Sequence, residues 1–308
     1  MSLRIALAGA VCLVVLAASC GSCADRGKMA AELPDAGEPD GGILVRKGVL
    51  AGFTTGPLVV KSVGQSDLYN FYDSTVLVDP AEVPDGPQYR NCSGVLVASN
   101  LVLTAAHCLC APTHGQTTRF DGSNCATNAD VSMRIPIPPA NVTHEAWGNI
   151  LTGNVLIHPQ FEIVLDTKGA VVTSRADLAL VRLEESVPPY LHFAPARLAT
   201  EAVKIFEVLI VVGFGVYEDQ EDALSFETRE SNQVQVEDLA GGDRYFFDWG
   251  KDASFKGDTG GPCLRLTKCG QELVGISQRG LGVKGALTSI APYRKWLEEQ
   301  IRLASGKH

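Results

Sequence analysis

Three segments of this 308-residue chain carry side chains that could together break a peptide bond. His107 lies in the run TAAHC, Asp177 opens the apolar run DLAL, and Thr259 lies in the glycine-rich run GDTGGP. Acyl transfer needs a nucleophile, a base that takes its proton, a group that fixes the tautomer of that base, and donors for the developing oxyanion. His107 is therefore the candidate general base, Asp177 its orienting carboxylate and Thr259 the candidate nucleophile.

These motifs and their order resemble those of the trypsin/chymotrypsin family of serine proteases. The resemblance extends over roughly residues 45 to 303, and Thr259 stands where the family has serine. It implies an all-β fold of two six-stranded antiparallel barrels with the site in the cleft between them, followed by a C-terminal α-helix. It also implies endopeptidase activity on a peptide or protein substrate, without a metal or an organic cofactor.

The glycine-rich run has two further predicted roles. By the resemblance, the backbone N–H groups of Gly257 and Thr259 form the oxyanion hole, and losing one such donor typically costs about 10²- to 10³-fold in rate. The carboxylate of Asp258 would pair with the amino terminus that activation cleavage creates. Val45 and Val49 are the candidate new termini, although neither directly follows Arg or Lys.

The threonine leaves two functions open. Thr259 keeps a hydroxyl, but its extra methyl restricts the side-chain rotamer. Because a misplacement of about 1 Å can cost 10²-fold in rate, the methyl predicts a severe loss unless nearby packing admits it. The chain is then either an endopeptidase with a threonine nucleophile or a catalytically impaired pseudoprotease that binds peptides or proteins.

The predicted substrate pocket departs from the family pattern. Counting back from Thr259 without gaps puts Ala253 at the pocket floor, where trypsin-like members have Asp. This favours an open apolar slot, although Asp252 is one residue away and a small shift would favour Arg or Lys. Gln278 and Arg279 replace the usual Ser and Trp, so the support of Asp177 is left open. The predicted substrate-binding residues are Ala253, Ser254, Gln278, Arg279, Gly280 and Gly285.

Nine cysteines fall into two groups, three before residue 24 and six in the body. An even count in an exported domain favours disulfides over metal thiolates. A zinc site is the alternative, but no Cys-x-x-Cys pair with His at ligand spacing exists. The resemblance implies the pair Cys92 with Cys108, and proximity in sequence favours two more, Cys110 with Cys125 and Cys263 with Cys269.

The amino-terminal residues predict export. Residues 1–19 resemble a signal peptide, and the run LAASC resembles a bacterial lipoprotein cleavage box with Cys20 as the lipidated residue. An ordinary secretory signal is the alternative. Residues 20–44 are acidic and rich in Pro and Gly, as in a flexible tether, so residues 45–308 form the expected peptidase domain. If the six body cysteines pair among themselves, cleavage at Val45 or Val49 would release this domain from a lipid anchor.

Net charge and composition limit the partners that the chain can bind. The formal net charge is -9 and no Lys/Arg cluster exists, which argues against nucleic acid as a partner. Any membrane association would be through the lipid, in the bacterial envelope, and the body is expected to be a monomer.

Short β-branched runs separated by Gly, Pro, Asn and Asp predict a sandwich or a barrel. Helical spacing of apolar residues predicts a helix over 292–303.

Overall fold

A computed structural model describes most of the body of the chain. It covers residues 65–67, 70–81, 92–114, 117–133, 150–217, 229–239, 241–248, 255–256, 258–278 and 285–306. Every described residue lies within one compact unit, Leu58–His308. The predicted signal peptide, tether, Cys20, Val45 and Val49 lie outside the described residues. Within the described ranges, none of the helices has the length and apolar character that a bilayer crossing requires.

The first barrel is built from β-branched and leucine-rich runs, which favour strands. Its six strands are β2 (Thr75–Pro80), β3 (Cys92–Ala98), β4 (Leu101–Thr104), β7 (Asn128–Ser132), β8 (Ile150–Ile157) and β11 (Ala179–Leu183). They pair antiparallel in the order β11-β4-β3-β2-β7-β8, and β8 pairs with β11 to close the ring. All residues of β3 and β4 are buried, so these two strands lie at the centre of the core.

A second ring of six antiparallel strands follows in sequence. Its strands are β13 (Val208–Gly213), β15 (Glu230–Leu239), β16 (Arg244–Asp248), β18 (Pro262–Thr267), β19 (Gly270–Ser277) and β20 (Gly285–Ser289). They pair in the order β13-β18-β19-β20-β16-β15, and β15 pairs with β13 to close this barrel. The predicted fold of two six-stranded antiparallel barrels is therefore present.

Eight shorter strands among the described residues lie outside the two six-stranded rings. β1 (Gln65–Ser66) extends the second barrel beside β15, and β12 (Arg197–Leu198) pairs parallel with β19. A separate four-stranded sheet has the order β10-β9-β6-β5, and a two-stranded ladder joins β14 to β17. Their bounds are β5 (Thr113–His114), β6 (Thr118–Phe120), β9 (Glu162–Leu165), β10 (Val171–Arg175), β14 (Val216–Tyr217) and β17 (Phe255–Lys256).

The C-terminal helix is present but starts later than predicted. A 3₁₀ turn spans Ala291–Tyr293, and α1 then runs over Arg294–Ala304. Pro292 lies in the 3₁₀ turn, where its missing N–H is tolerated. Leu297 is fully buried against the core. Two further 3₁₀ turns span Ala106–Cys108 and Pro189–Leu191.

Two of the three predicted disulfides are present, joining Cys92 to Cys108 and Cys110 to Cys125. The third prediction is wrong: Cys263 is a free, buried thiol, and Cys269 is disulfide-bonded elsewhere.

The geometry of a hairpin explains the error. Cys263 lies opposite Gly275 inside the β18–β19 pair, whereas Cys269 lies in the turn beyond Thr267. At about 3.3 Å per strand residue, Cys263 is about 13 Å from Thr267 at the end of β18, and a disulfide needs Cα atoms within about 7 Å. Release of the domain by cleavage at Val45 or Val49 required the six body cysteines to pair among themselves. Because Cys263 is free and Cys269 is bonded elsewhere, that condition is not met.

Candidate active site

His107 is held by a short turn at the end of a buried strand. β4 ends at Thr104, and the 3₁₀ turn Ala106–Cys108 follows. The Cys92–Cys108 disulfide joins this turn to β3. The His107 ring is largely buried. It lies edge-on to Phe120 of β6 in the four-stranded sheet, with ring centroids 6.4 Å apart. One covalent bond and one aromatic contact thus restrict where the imidazole can point.

Asp177 meets His107 with both of its carboxylate oxygens. Its Oδ1 accepts a hydrogen bond of 2.9 Å from the backbone N–H of His107, and its Oδ2 lies 2.6 Å from Nδ1 of the ring. A carboxylate can only accept, so this contact selects the tautomer that carries the proton on Nδ1. The other ring nitrogen, Nε2, is then left with its lone pair, as a general base requires.

Gln278 supplies the support for Asp177 that the sequence left open. Its side-chain amide Nε2 donates to Asp177 Oδ2 at 2.8 Å and to Ser174 Oγ at 3.1 Å. Gln278 itself is almost fully buried. A glutamine at this position therefore does for Asp177 what the family serine was expected to do. Because the Gln278 side chain contacts the Asp177 carboxylate, only the backbone of residue 278 could bind substrate as predicted.

Asp177 stays ionised although it is completely buried. Burial alone would raise the pKa of this carboxyl group. The His107 imidazole, the two hydrogen bonds from His107 and the one from Gln278 outweigh that effect and hold the pKa below its usual value. The buried carboxylate is compensated by donors on both sides, which is the condition for keeping a charge in a protein interior.

Thr259 lies in a tight loop between the two barrels. Thr259 is 8% exposed, and its carbonyl accepts a hydrogen bond of 2.8 Å from the N–H of Ser93. The next residue, Gly260, has φ +85°, and an added Cβ would overlap Ser93 O and Thr104 Oγ1. Only glycine fits this position, because both the backbone angle and the close approach exclude a side chain.

Ser93 links the histidine turn to the threonine loop, and sequence analysis missed it. Its N–H donates to Thr259 O, its carbonyl accepts from Thr104 Oγ1 at 2.7 Å, and its hydroxyl accepts from the N–H of Phe214 at 2.9 Å. The serine directly follows Cys92, but nothing in the sequence distinguishes it from an ordinary strand residue. His107, Asp177 and Thr259 therefore lie on segments that Ser93 and Gln278 hold together.

Asp258 is buried beside the loop that begins at Gly213. Its Oδ1 accepts a hydrogen bond of 2.9 Å from the N–H of Gly215. The activation ion pair of Asp258 stays a prediction, because its candidate partners Val45 and Val49 lie outside the described residues. Gly285 is buried in β20 opposite Phe247. The other predicted site residues lie outside the part of the chain that the structure describes: Gly257, Ala253, Ser254, Arg279 and Gly280.

The barrels and this site match a known family. The family model described as Trypsin matches residues 82–297. The chain belongs to the trypsin family of serine proteases. It is 26% identical over 230 residues to the lectizyme of Glossina austeni, covering 68% of this chain and 77% of the relative.

Two further relatives carry protease names. A renal glandular kallikrein of Mastomys natalensis is 28% identical over 233 residues, with 68% of this chain and 79% of the relative covered. A trypsin of Sarcophaga bullata is 24% identical over 245 residues, with 75% and 88% covered. Because these identities are low, the substrate specificity of this chain has to be inferred from its own residues.

Proposed function

We propose that the chain is a trypsin-like endopeptidase in which Thr259 is the nucleophile, His107 the general base and Asp177 the residue that orients it. The observation that carries this proposal is the His107–Asp177 pair, with a 2.6 Å contact at Nδ1. A second donor, the side-chain amide of Gln278, holds the same carboxylate in its place beside the imidazole. The retention of a buried, ionised and fully hydrogen-bonded orienter supports a working base.

In the proposed reaction, Thr259 Oγ1 attacks the scissile carbonyl carbon while its proton passes to Nε2 of His107. Asp177 stabilises the resulting imidazolium, and the N–H groups of Gly257 and Thr259 receive the developing oxyanion. Collapse of the tetrahedral intermediate breaks the C–N bond, and His107 returns the proton to the leaving amine. A water molecule then hydrolyses the acyl ester by the same steps in reverse.

The environment of Thr259 supports a second candidate, an impaired pseudoprotease that binds peptides. Thr259 is nearly buried, and the adjacent Gly260 has no room even for a methyl group. A threonine methyl in so crowded a loop restricts the rotamers from which Oγ1 can attack. The fold and the oriented histidine would then serve to bind a peptide without cleaving it.

A fluorophosphonate probe separates the two candidates. We expect the native protein to be labelled and His107→Ala not to be labelled, as an activated nucleophile requires. Labelling of Thr259→Ser alone would favour the pseudoprotease, because the methyl would then be the block. Absence of labelling in both the native protein and Thr259→Ser would contradict the endopeptidase proposal.

The substrate is proposed to be a peptide or protein whose anchoring side chain is large and apolar, since Ala253 replaces the acidic residue of trypsin-like pockets. We further propose a monomer exported by residues 1–19 and anchored through lipid on Cys20, with residues 20–44 as tether and 45–308 as peptidase domain. Disulfides support an oxidising compartment. The bacterial lipoprotein assignment rests on the run LAASC alone, since the relatives named above are eukaryotic.

A further inference from the structure

The residue before Asp177 adopts an unusual backbone conformation. Ala176 has φ +48° although it is not a glycine, and it is completely buried. The left-handed region is disfavoured for residues with a Cβ, so the surrounding structure must impose it. The N–H of Leu178 donates to Ala176 O at 2.7 Å, which turns the chain sharply between Ala176 and β11. The direction of the Asp177 side chain depends on this turn.

Two side chains far away in sequence hold that turn. The N–H of Ala176 donates to Asp243 Oδ2 at 2.9 Å and lies 3.0 Å from the hydroxyl oxygen of Tyr293. The Tyr293 hydroxyl donates in turn to the same Asp243 Oδ2 at 2.7 Å. A carboxylate that accepts both hydrogens makes stronger bonds than a neutral acceptor would.

Asp243 is itself fixed to the second barrel. It is 4% exposed and directly precedes β16, and its carbonyl accepts a hydrogen bond of 2.7 Å from the N–H of Ser289 in β20. Burial lowers the pKa of the neighbouring Arg244, and the carboxylates of Asp177 and Asp243 oppose that effect.

We propose that Asp243 and Tyr293 are positioning residues for Asp177. They hold the left-handed turn at Ala176 and so aim the carboxylate at His107. The inference rests on the proposed function for its catalytic consequence, but not for its geometry. Its place in the site is distinct from that of Gln278: Gln278 bonds the Asp177 carboxylate, whereas Asp243 fixes the backbone from which that carboxylate projects.

The test compares four variants of the full chain. Asp243→Leu removes both acceptor oxygens and keeps the branching of the side chain, Asp243→Asn keeps one carbonyl acceptor, and Tyr293→Phe removes the hydroxyl. Thr288→Val is the matched control. Thr288 lies in β20 opposite Arg244, the neighbour of Asp243, and is buried like Asp243. Its hydroxyl has no hydrogen-bond partner among the described residues. The readouts are the low-field proton resonance of the His107 Nδ1–H in histidine-labelled protein, the labelling rate with a fluorophosphonate, and thermal unfolding.

We expect folded Asp243→Leu to lose the low-field resonance and its labelling rate to fall about 10²-fold, the cost of displacing a reacting group by about 1 Å. Tyr293→Phe should show a weaker loss, while Asp243→Asn and Thr288→Val keep the resonance. Tyr293→Phe decides the matter if Asp243→Leu fails to fold.

An unchanged resonance in folded Asp243→Leu, or in Tyr293→Phe where the leucine variant fails to fold, would overturn the proposal. An equal loss in Thr288→Val would do the same. If the native protein is never labelled but the resonance responds as expected, the endopeptidase proposal fails and the positioning role stands.

Discussion

The turn that carries His107 and the loop that carries Thr259 are fixed by different means. A disulfide, a ring contact and two hydrogen bonds to Asp177 hold the histidine turn. The threonine loop is held by backbone hydrogen bonds to Ser93 and Ser277 and by a glycine in a left-handed conformation. The cysteine four residues beyond Thr259 is a free thiol.

This difference shows where each half of the site can tolerate change. The histidine turn is cross-linked by a disulfide, so we expect its backbone geometry to withstand the loss of a single hydrogen bond. The threonine loop depends on close approach of backbone atoms, so any added volume must displace the loop itself. The methyl by which threonine differs from serine at residue 259 therefore lies in the half of the site with less tolerance for added volume.

The largest effect is expected from Gly260→Ala. The new Cβ would overlap Ser93 O and Thr104 Oγ1 at φ +85°, so the free energy of unfolding should fall by about 4 kcal/mol from backbone strain and overpacking together. Gly169→Ala is the control, because Gly169 has φ +79° but nothing within 4 Å of an added Cβ. It should lose only about 1 kcal/mol. Equal losses in urea unfolding would show that the loop is not tightly packed.

Removing the Cys92–Cys108 disulfide by two alanines tests the histidine turn. The bond closes a segment of 16 residues, and its loss should cost about 3 kcal/mol in urea unfolding. Removing Cys110–Cys125, with a separation of 15, should cost a similar amount. Only the first pair should also weaken the low-field resonance of His107. If both pairs leave that resonance intact, the disulfide does not position the imidazole.

The barrels could be predicted because their strands carry strong local signals. Runs such as those in β2, β3 and β13 are β-branched and bounded by turn residues, and the motifs at His107, Asp177 and Thr259 identified their arrangement. The sheet of β5, β6, β9 and β10 could not be predicted in the same way. Its strands are short, and several of their side chains are exposed, so no apolar alternation marks them.

The site could be predicted only where residues form a motif. Ser93, Asp243 and Tyr293 act through contacts between segments distant in sequence, and no spacing pattern shows such contacts. Gln278 leaves the support of Asp177 open in the sequence because its type differs from the family serine, yet the longer amide reaches the same carboxylate. The Cys263–Cys269 prediction failed because closeness in sequence is not closeness in space within a hairpin.

Gln278→Leu tests whether the Asp177 carboxylate needs its second donor. Loss of a hydrogen bond to a buried charge should lower the free energy of unfolding by about 2 kcal/mol near neutral pH. The pKa of Asp177 is lowered in the folded protein, so its contribution is fully present above the unfolded value of about 3.9 and is lost as pH falls through the lower folded value. The difference between native and variant protein should therefore shrink in acid.

Urea unfolding at neutral pH and below the ordinary aspartate pKa would measure this difference. Gln271→Leu is a control, since the amide of the half-buried Gln271 donates a solvent-exposed hydrogen bond to the carbonyl of Phe71, which is uncharged. A pH-independent difference for Gln278→Leu would mean that the amide supports packing and not the charge.

The smallest loss of unfolding free energy is expected from Cys263→Ala, on the segment that follows the threonine loop. Cys263 is fully buried in the core of the second barrel, and burial raises the pKa of its thiol, with the Asp258 carboxylate acting in the same direction. Because the thiolate is the reactive form, iodoacetamide should modify Cys263 only after unfolding. Cys263→Ala should cost about 1 kcal/mol, against about 3 kcal/mol for the disulfide beside His107. Rapid modification of Cys263 in the folded protein would show that the segment after Thr259 opens readily, and the loop would then have room for the threonine methyl.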